Sequence, residues 1–294
     1  MNPPRRVISL SPNVSMILFA LGADDCVVGR TSYCPGAIQK YMTVWDIAEA
    51  AVAHRLQYWQ TLPVTGVWPQ ADPEAIKALQ PELILASGSG PLDAHDAQTF
   101  NVEPDRFVNF DTRTLADLEH HIARIGQLLG KTREAEHLIR QIAVRKDEIV
   151  ATRVAPLTRP TMLFEYCVCI KYAPDPQRRF ANPARYIMAG GHLAPELIQL
   201  SGGEPLATQP GDTVQWVPFE SIREAQPDVI LLFDCNGCPN ANQHPIDTRK
   251  GWSELSAVSQ QAVYRLSENI SNPNLCFPAA LEQLVGVVND FGAR

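Results

Sequence analysis

TREAEHLIRQIAVRKDEIVAT, residues 132–152, is the stretch whose reading decides the fold. Ala135, Leu138, Ile139, Ile142 and Ile149 recur at three- and four-residue spacings, and the other faces are charged. That is the pattern of an amphipathic helix. Thr132 can cap it, and Glu134 and Glu136 lie at its positive N-terminal end. Roughly 20 residues at 1.5 Å each span about 30 Å, the diameter of a small domain. A helix of that length in mid-chain, between two halves that look alike, reads as a rigid strut joining two lobes.

The likeness of the halves is an internal repeat. DPEAIKALQPELILA, residues 72–86, is a helix, a proline break and a buried strand; PFESIREAQPDVILL, residues 218–232, repeats the order 146 positions later. Both copies have Glu at the helix start, Ile two residues on, a Gln-Pro break, an acid and an apolar run. The expected architecture is α/β, with two Rossmann-like lobes (residues 1–130 and 157–294) joined by one backbone helix (131–156). A ligand cleft between the lobes is expected, because clefts between domains are where ligands bind.

The chain has 294 residues, room for one large or two medium domains. Its net charge of −7 and lack of a basic stretch argue against nucleic acid or anionic membrane as the main partner. No apolar run approaches the roughly 20 residues of a membrane span. A strand begins almost at once after Met1, with no apolar signal core. The expected compartment is therefore the cytoplasm, or the periplasm if a leader was removed. Seven cysteines is an odd count, and in a reducing compartment thiols read as core residues or metal ligands.

Taken in order, Val7–Leu10 is a buried strand and Ser11-Pro12 opens a helix that Gly22 ends. Val27–Arg30 is a second strand, leading into Thr31-Ser32-Tyr33-Cys34-Pro35 at its C-terminal end. In open α/β sheets that edge faces the ligand. Residues 39–61 carry Trp45, Tyr58 and Trp59 with no clear period. Ser87–Pro91 reads as a tight turn rather than a dinucleotide loop. Arg106–Phe110 is a strand, and Thr114–Leu129 a helix with Leu115, Leu118, Ile122, Ile125 and Leu129 inward. Gly126–Thr132 imitates a phosphate loop but is one residue short, and its first glycine lies inside that helix rather than after a strand. After the strut, strands are expected at Thr161–Tyr172, after the second repeated helix and at Val263–Leu266, with a closing helix at Leu281–Phe291.

This pattern resembles the helical-backbone (class III) periplasmic binding proteins, the iron–siderophore and vitamin B12 family. The likeness covers nearly the whole chain. It rests on Val7–Pro12 with Leu21-Gly22 and Val28-Gly29, the paired Gln-Pro-acid segments, Leu129-Gly130-Lys131 before the strut, and Pro195-Glu196 with Gly202-Gly203. Gly191-His192 and Glu165-Tyr166 look most like the cobalamin branch. The resemblance implies two lobes that hold a ligand and move little, serving an ABC permease if the chain is exported. The chain departs from the family in its cysteine content.

Cys34, Cys167, Cys169, Cys235, Cys238 and Cys276 all fall at or just past strand ends, whereas Cys26, between helix and strand, reads as core. Cys235 and Cys238 form a Cys-x-x-Cys turn that can aim two sulfurs at one ion, and about four thiolates suit an iron–sulfur cluster. The alternative is that the thiols are small apolar residues. His192 is a ligand or hydrogen-bond donor at the cleft, or a helix cap. Glu165 is a cleft carboxylate or the partner of a buried arginine. Trp68 and Trp216 precede the two repeated helices, as aromatic walls for a flat macrocycle or as core. The first expectation is a thiolate-ligated metal centre, with an iron–sulfur cluster favoured. The second is binding of cobalamin or another corrinoid, haem or an iron chelate, and the third a metal-dependent enzyme. No nucleophile–base pair or acid pair stands at a suggestive spacing, which ranks catalysis last.

Overall fold

The structure, a computed structural model, describes residues 3–67, 70–88, 94–154, 158–166, 186–234, 246–270 and 272–293. The chain divides into two compact units. Unit 1 is Met1–Thr112, Ala116–Val144 and Asn274–Cys276; unit 2 is Arg113–Leu115, Arg145–Pro273 and Phe277–Arg294.

In unit 1 the elements run β1 (Val7–Ser9), α1 (Pro12–Ala20), β2 (Val27–Gly29), α2 (Cys34–Val44), α3 (Glu49–Thr61), β3 (Gly66–Val67), β4 (Gln70–Ala71), α4 (Pro73–Ala78), β5 (Leu83–Ser87), α5 (Ala94–Thr99), β6 (Phe107–Phe110), α6 (Leu115–Leu128) and the first part of α7 (Thr132–Ala151), whose last part belongs to unit 2. Four of the strands form a wholly parallel sheet in the order β2-β1-β5-β6. Val7, Ile8 and Leu83 through Ala86 are sealed from solvent. That is the burial a parallel sheet needs when helices cover both faces. Residues 39–61, without a clear period in sequence, are the end of α2 and all of α3. Only Leu56 and Trp59 of α3 are buried, so its stripe is too thin to read.

Unit 2 holds β7 (Thr161–Glu165), β8 (Tyr186–Ala189), α8 (Ala194–Ser201), β9 (Glu204–Leu206), β10 (Gln215–Pro218), α9 (Phe219–Ala225), β11 (Val229–Asp234), α10 (Ser256–Ser259), β12 (Val263–Ser267) and α11 (Phe277–Gly292). The sheet order is β10-β8-β7-β11-β12, with β9 also pairing with β7. β7, β11 and β12 are parallel, while β8 and β10 join antiparallel on the outer side.

The repeat is structural. α4 and α9 each end in a left-handed glutamine, Gln80 at φ 45° and Gln226 at φ 46°. The proline that follows cannot continue a helix. Each copy then enters the strand beside the first strand of its sheet, Leu83 opposite Val7 and Val229 opposite Met162. The acid has the same task in both units. Glu82 Oε2 accepts the Arg5 N–H at 2.5 Å, and Asp228 Oδ2 accepts the Thr161 N–H at 2.8 Å. Each carboxylate caps the start of the neighbouring strand.

α6 and α7 are separated by a turn at Gly130, which stands at φ 67°. On α7, Ala135, Leu138, Ile142 and Ile149 are buried and Ile139 half-buried, the stripe expected from the sequence. The helix runs unbroken past residue 144, where unit 1 gives way to unit 2. Gly126, which imitated part of a phosphate loop, has a packing role. A Cβ there would lie 2.5 Å from the Cβ of Ala135.

Gly126→Ala should therefore destabilise the protein even though alanine is the better helix former by about 1 kcal/mol. The overlap costs about 1–3 kcal/mol or more, seen as a lowered Tm. The double variant Gly126→Ala/Ala135→Gly should recover most of the loss. An unchanged Tm for the single variant would refute the close approach.

Candidate functional site

In a parallel α/β sheet the ligand edge is the C-terminal one, and the preferred point is where the strand order reverses. The orders above reverse between β1 and β5 in unit 1 and between β7 and β11 in unit 2. Each edge is described within its own unit.

In unit 1, β1 ends in a polar knot. Ser15 Oγ donates to Ser9 Oγ at 2.8 Å, and Ser9 Oγ donates to the Ser11 carbonyl at 3.0 Å. Beside it, Asn274 Nδ2 donates to Asn13 Oδ1, and the Trp45 indole donates to the Leu275 carbonyl at 2.7 Å. The tripeptide Asn274–Cys276 thus completes unit 1 from the far end of the chain. Beyond β2, Arg30 is buried. Its guanidinium donates to the carbonyls of Trp59, Thr31 and Gln60, so its charge ties α3 to the sheet. The loop after β2 carries Tyr33, exposed to 65%. At the end of β6, Thr112 Oγ1 and His121 Nδ1 lie 2.8 Å apart, with the imidazole 4.8 Å from the Phe110 ring.

In unit 2 the reversal point is aromatic. Tyr166 and Phe233, at the ends of β7 and β11, stack with centroids 5.5 Å apart and an interplanar angle of 27°. Phe164 packs edge-on to Tyr166 at 6.4 Å. Beneath them, Glu165 is paired with Arg249, whose Nη1 donates to both carboxylate oxygens at 2.9 and 2.7 Å. Both side chains are about 95% buried. The guanidinium lies 4.6 Å from the Trp252 ring, which stacks on Phe219 at 5.4 Å. Of the two roles open to Glu165 in sequence, the structure shows the arginine partner. At the end of β12, the side-chain oxygen of buried Asn269 has no hydrogen-bond partner among the described residues.

The other expected site residues are distributed as follows. His192 sits in a left-handed turn at φ 53°, and its N–H donates to the Asp212 carbonyl at 2.7 Å. This turn needs Gly191, because a Cβ there would meet the backbone of Thr213 at 2.4 Å. Trp216 is half-buried on the outer strand β10, opposite Met188. Trp68, Cys167, Cys169, Cys235 and Cys238 lie outside the described residues. Cys34 and Cys276 are both completely buried. The Cys34 thiol contacts Thr31 Oγ1 at 3.0 Å and accepts the Thr31 N–H at 3.3 Å. Burial pushes its pKa up, against the thiolate that a metal ligand must supply. The Cys276 sulfur lies 3.8 Å from that of Met16. Cys26 donates to the Ala23 carbonyl, with its pKa pushed by burial up to about 11. Among the described residues no three His, Cys, Asp or Glu side chains converge as a metal site. No described helix is long and apolar enough to cross a membrane. Tyr166 enters the sequence reading only through the Glu165-Tyr166 resemblance and Tyr33 only as part of the loop after β2, and Phe233, one aromatic near a strand end, carries no signal there.

The periplasmic binding protein family model (Peripla_BP_2) matches residues 7–270. The chain belongs to this family. A curated relative, the ABC transporter substrate-binding lipoprotein YvrC of Bacillus subtilis strain 168, is 23% identical over 281 residues, 92% of this chain and 76% of the relative. Among solved structures, IsdE of S. aureus complexed with haem is similar with a TM-score of 0.68 and 16% identity, covering 96% of this chain and 98% of that one. The vitamin B12 binding protein BtuF of Vibrio cholerae has a TM-score of 0.63 and 18% identity, with both chains covered completely. At these identities the structures establish the two-lobed fold. They give no support to an iron–sulfur cluster, the first expectation from the cysteines.

Two outcomes follow from the site's electrostatics. Glu165→Ala takes the buried carboxylate away from the Arg249 guanidinium and should cost about 3–5 kcal/mol, whereas Glu165→Met/Arg249→Met together should cost far less. Denaturant unfolding of the wild type and the two variants measures this, and equal losses would disprove the pairing. Burial lowers the pKa of His121, and His120 adds to this while Asp117 and Asp111 oppose it. The folded state thus favours the neutral ring. Its contribution is present above the unfolded pKa of about 6.5 and is lost as pH falls from there through the lower folded value. His121→Gln should shrink the drop in Tm between pH 7.5 and pH 5.5; an unaltered drop would exclude this source.

Proposed function

We propose that the chain is the substrate-binding protein of an ABC-type importer, and that its ligand is a metal-bearing tetrapyrrole, a corrinoid or a haem. The observation that carries this is the stacked Tyr166–Phe233 pair at the reversal point of the unit 2 sheet, above a carboxylate whose charge is spent on Arg249. The pair is aromatic and half-buried. It suits a planar conjugated ring, whose face gains from stacking about 0.5–1.5 kcal/mol per aromatic beyond area burial. The ligand then brings its own metal, and the protein grips the organic frame. Haem and vitamin B12, named for two proteins of the same fold, are such ligands. The described cysteines are occupied in packing, which favours this reading over a thiolate-ligated centre. The lipoprotein relative supports work outside the cytoplasmic membrane, beside a permease, rather than in the cytoplasm.

The test is an absorption spectrum with iron and sulfide analysis of protein purified without oxygen, then titration with hydroxocobalamin, haemin and a ferric hydroxamate. The expected result is no acid-labile sulfide, saturable binding of one tetrapyrrole, and a loss of about 2–10-fold in affinity for Phe233→Ala. Iron with labile sulfide, and no tetrapyrrole binding, would return the thiolate cluster to first place.

A further inference from the structure

Two short segments are exchanged between the units. Arg113–Leu115 belongs to unit 2, although the chain before it and from Ala116 on belongs to unit 1. Asn274–Cys276 belongs to unit 1, although the chain on either side belongs to unit 2. Each segment carries a buried leucine, Leu115 or Leu275. Each leucine also has a main-chain group held by a side chain of the receiving unit. Glu196 Oε2, in the first turn of α8, accepts the Leu115 N–H at 2.8 Å. The Trp45 indole, at the end of α2, donates to the Leu275 carbonyl at 2.7 Å. Side chains fix the ends as well. Thr112, the last residue of unit 1 before the first segment, meets His121 of α6 at 2.8 Å. Asn274 Oδ1 accepts the Cys276 N–H at 2.7 Å, and Asn274 Nδ2 donates to Asn13 Oδ1 at 3.2 Å.

Such a segment leaves its place only by exposing the leucine and breaking the bond to its main chain, and both are unfavourable. α7 also passes from one unit to the other, but long helices bend gently along their length. One helix therefore fixes the length of a link better than its direction. We propose that the two exchanged segments are reciprocal latches that limit how far the units move, and that Glu196 and Trp45 are the residues that close them. Each latch is set in a different unit and both resist the same motion, so they open together. The latches concern how the units are joined, and stand whether or not a tetrapyrrole is the ligand.

The test is amide hydrogen exchange of the full chain without ligand, read over residues 113–118 and 274–280, with β5 and β11 as controls for global opening. Glu196→Ala removes a charged acceptor and should speed exchange about 10–100-fold at 113–118, and also speed it at 274–280 in the other unit. Trp45→Phe keeps a ring and removes the donor. It should speed exchange about 2–10-fold at 274–280, and also at 113–118. Glu196→Gln, which keeps an oxygen acceptor, should exchange close to the wild type. β5 and β11 should stay as protected as in the wild type. Faster exchange confined to each variant's own segment would mark two local packing bonds and overturn the proposal. Unchanged exchange, or a uniform rise that includes β5 and β11, overturns it too. The two variants report separately, so either one decides the question if the other does not fold.

Discussion

A carboxylate that caps a neighbouring strand is the constraint on which both units depend. Glu82 holds the Arg5 N–H and Asp228 holds the Thr161 N–H, each from the residue after a Gln-Pro break. The bond fixes where the second strand starts relative to the first. A slip of one residue would turn every buried side chain of the strand to the other face. The pairs it fixes are β1 with β5 and β7 with β11, the pairs between which each sheet reverses order. The interaction that sets the register therefore also sets the far ends of those strands, where the edge residues stand. Asp228 adds a second bond, from Thr161 Oγ1 at 2.8 Å, so the unit 2 cap is the more firmly held.

The two edges deal with charge in the same way. Arg30 in unit 1 and Arg249 in unit 2 are buried near strand ends, where a bare cation would be costly. Arg30 spends its donors on three carbonyls, Arg249 on Glu165 and the face of Trp252. Tyr33 in one unit and the Tyr166–Phe233 pair in the other stand near these buried cations. This division of labour gives the charges a structural role.

Much of this was legible in the sequence, for a physical reason. β1, β5, β7 and β11 are buried on both faces and so read as apolar runs; α6 and α7 are long enough for their stripe to show. The acid of the repeat was visible as a pattern, though not its cap, which joins residues 67 to 77 positions apart. Outer strands were less visible. β8, β9 and β10 are three or four residues each, and half of β10 is exposed, so no run or alternation develops. Nor does any local signal mark Asn274–Cys276 as part of unit 1, since its partners Asn13, Met16 and Trp45 are more than 220 residues away.

The cysteines show why position along a strand is weak evidence of a ligand. Placing a thiol at a strand end locates its Cα at the site edge but leaves the direction of the sulfur open. Cys34 is the first residue of α2, and its side chain turns back beneath the loop toward Thr31. Cys276 precedes α11, and its sulfur lies against Met16 of α1. A small polarizable side chain with a weak donor suits both places, where a helix must start close to a sheet. In the β2–α2 loop the same choice has a second effect. With Cys34 turned inward and Thr31 bonded to it, the two exposed residues between them, Ser32 and Tyr33, are spanned by that contact, so the thiol that looked like a ligand closes the turn at the start of α2.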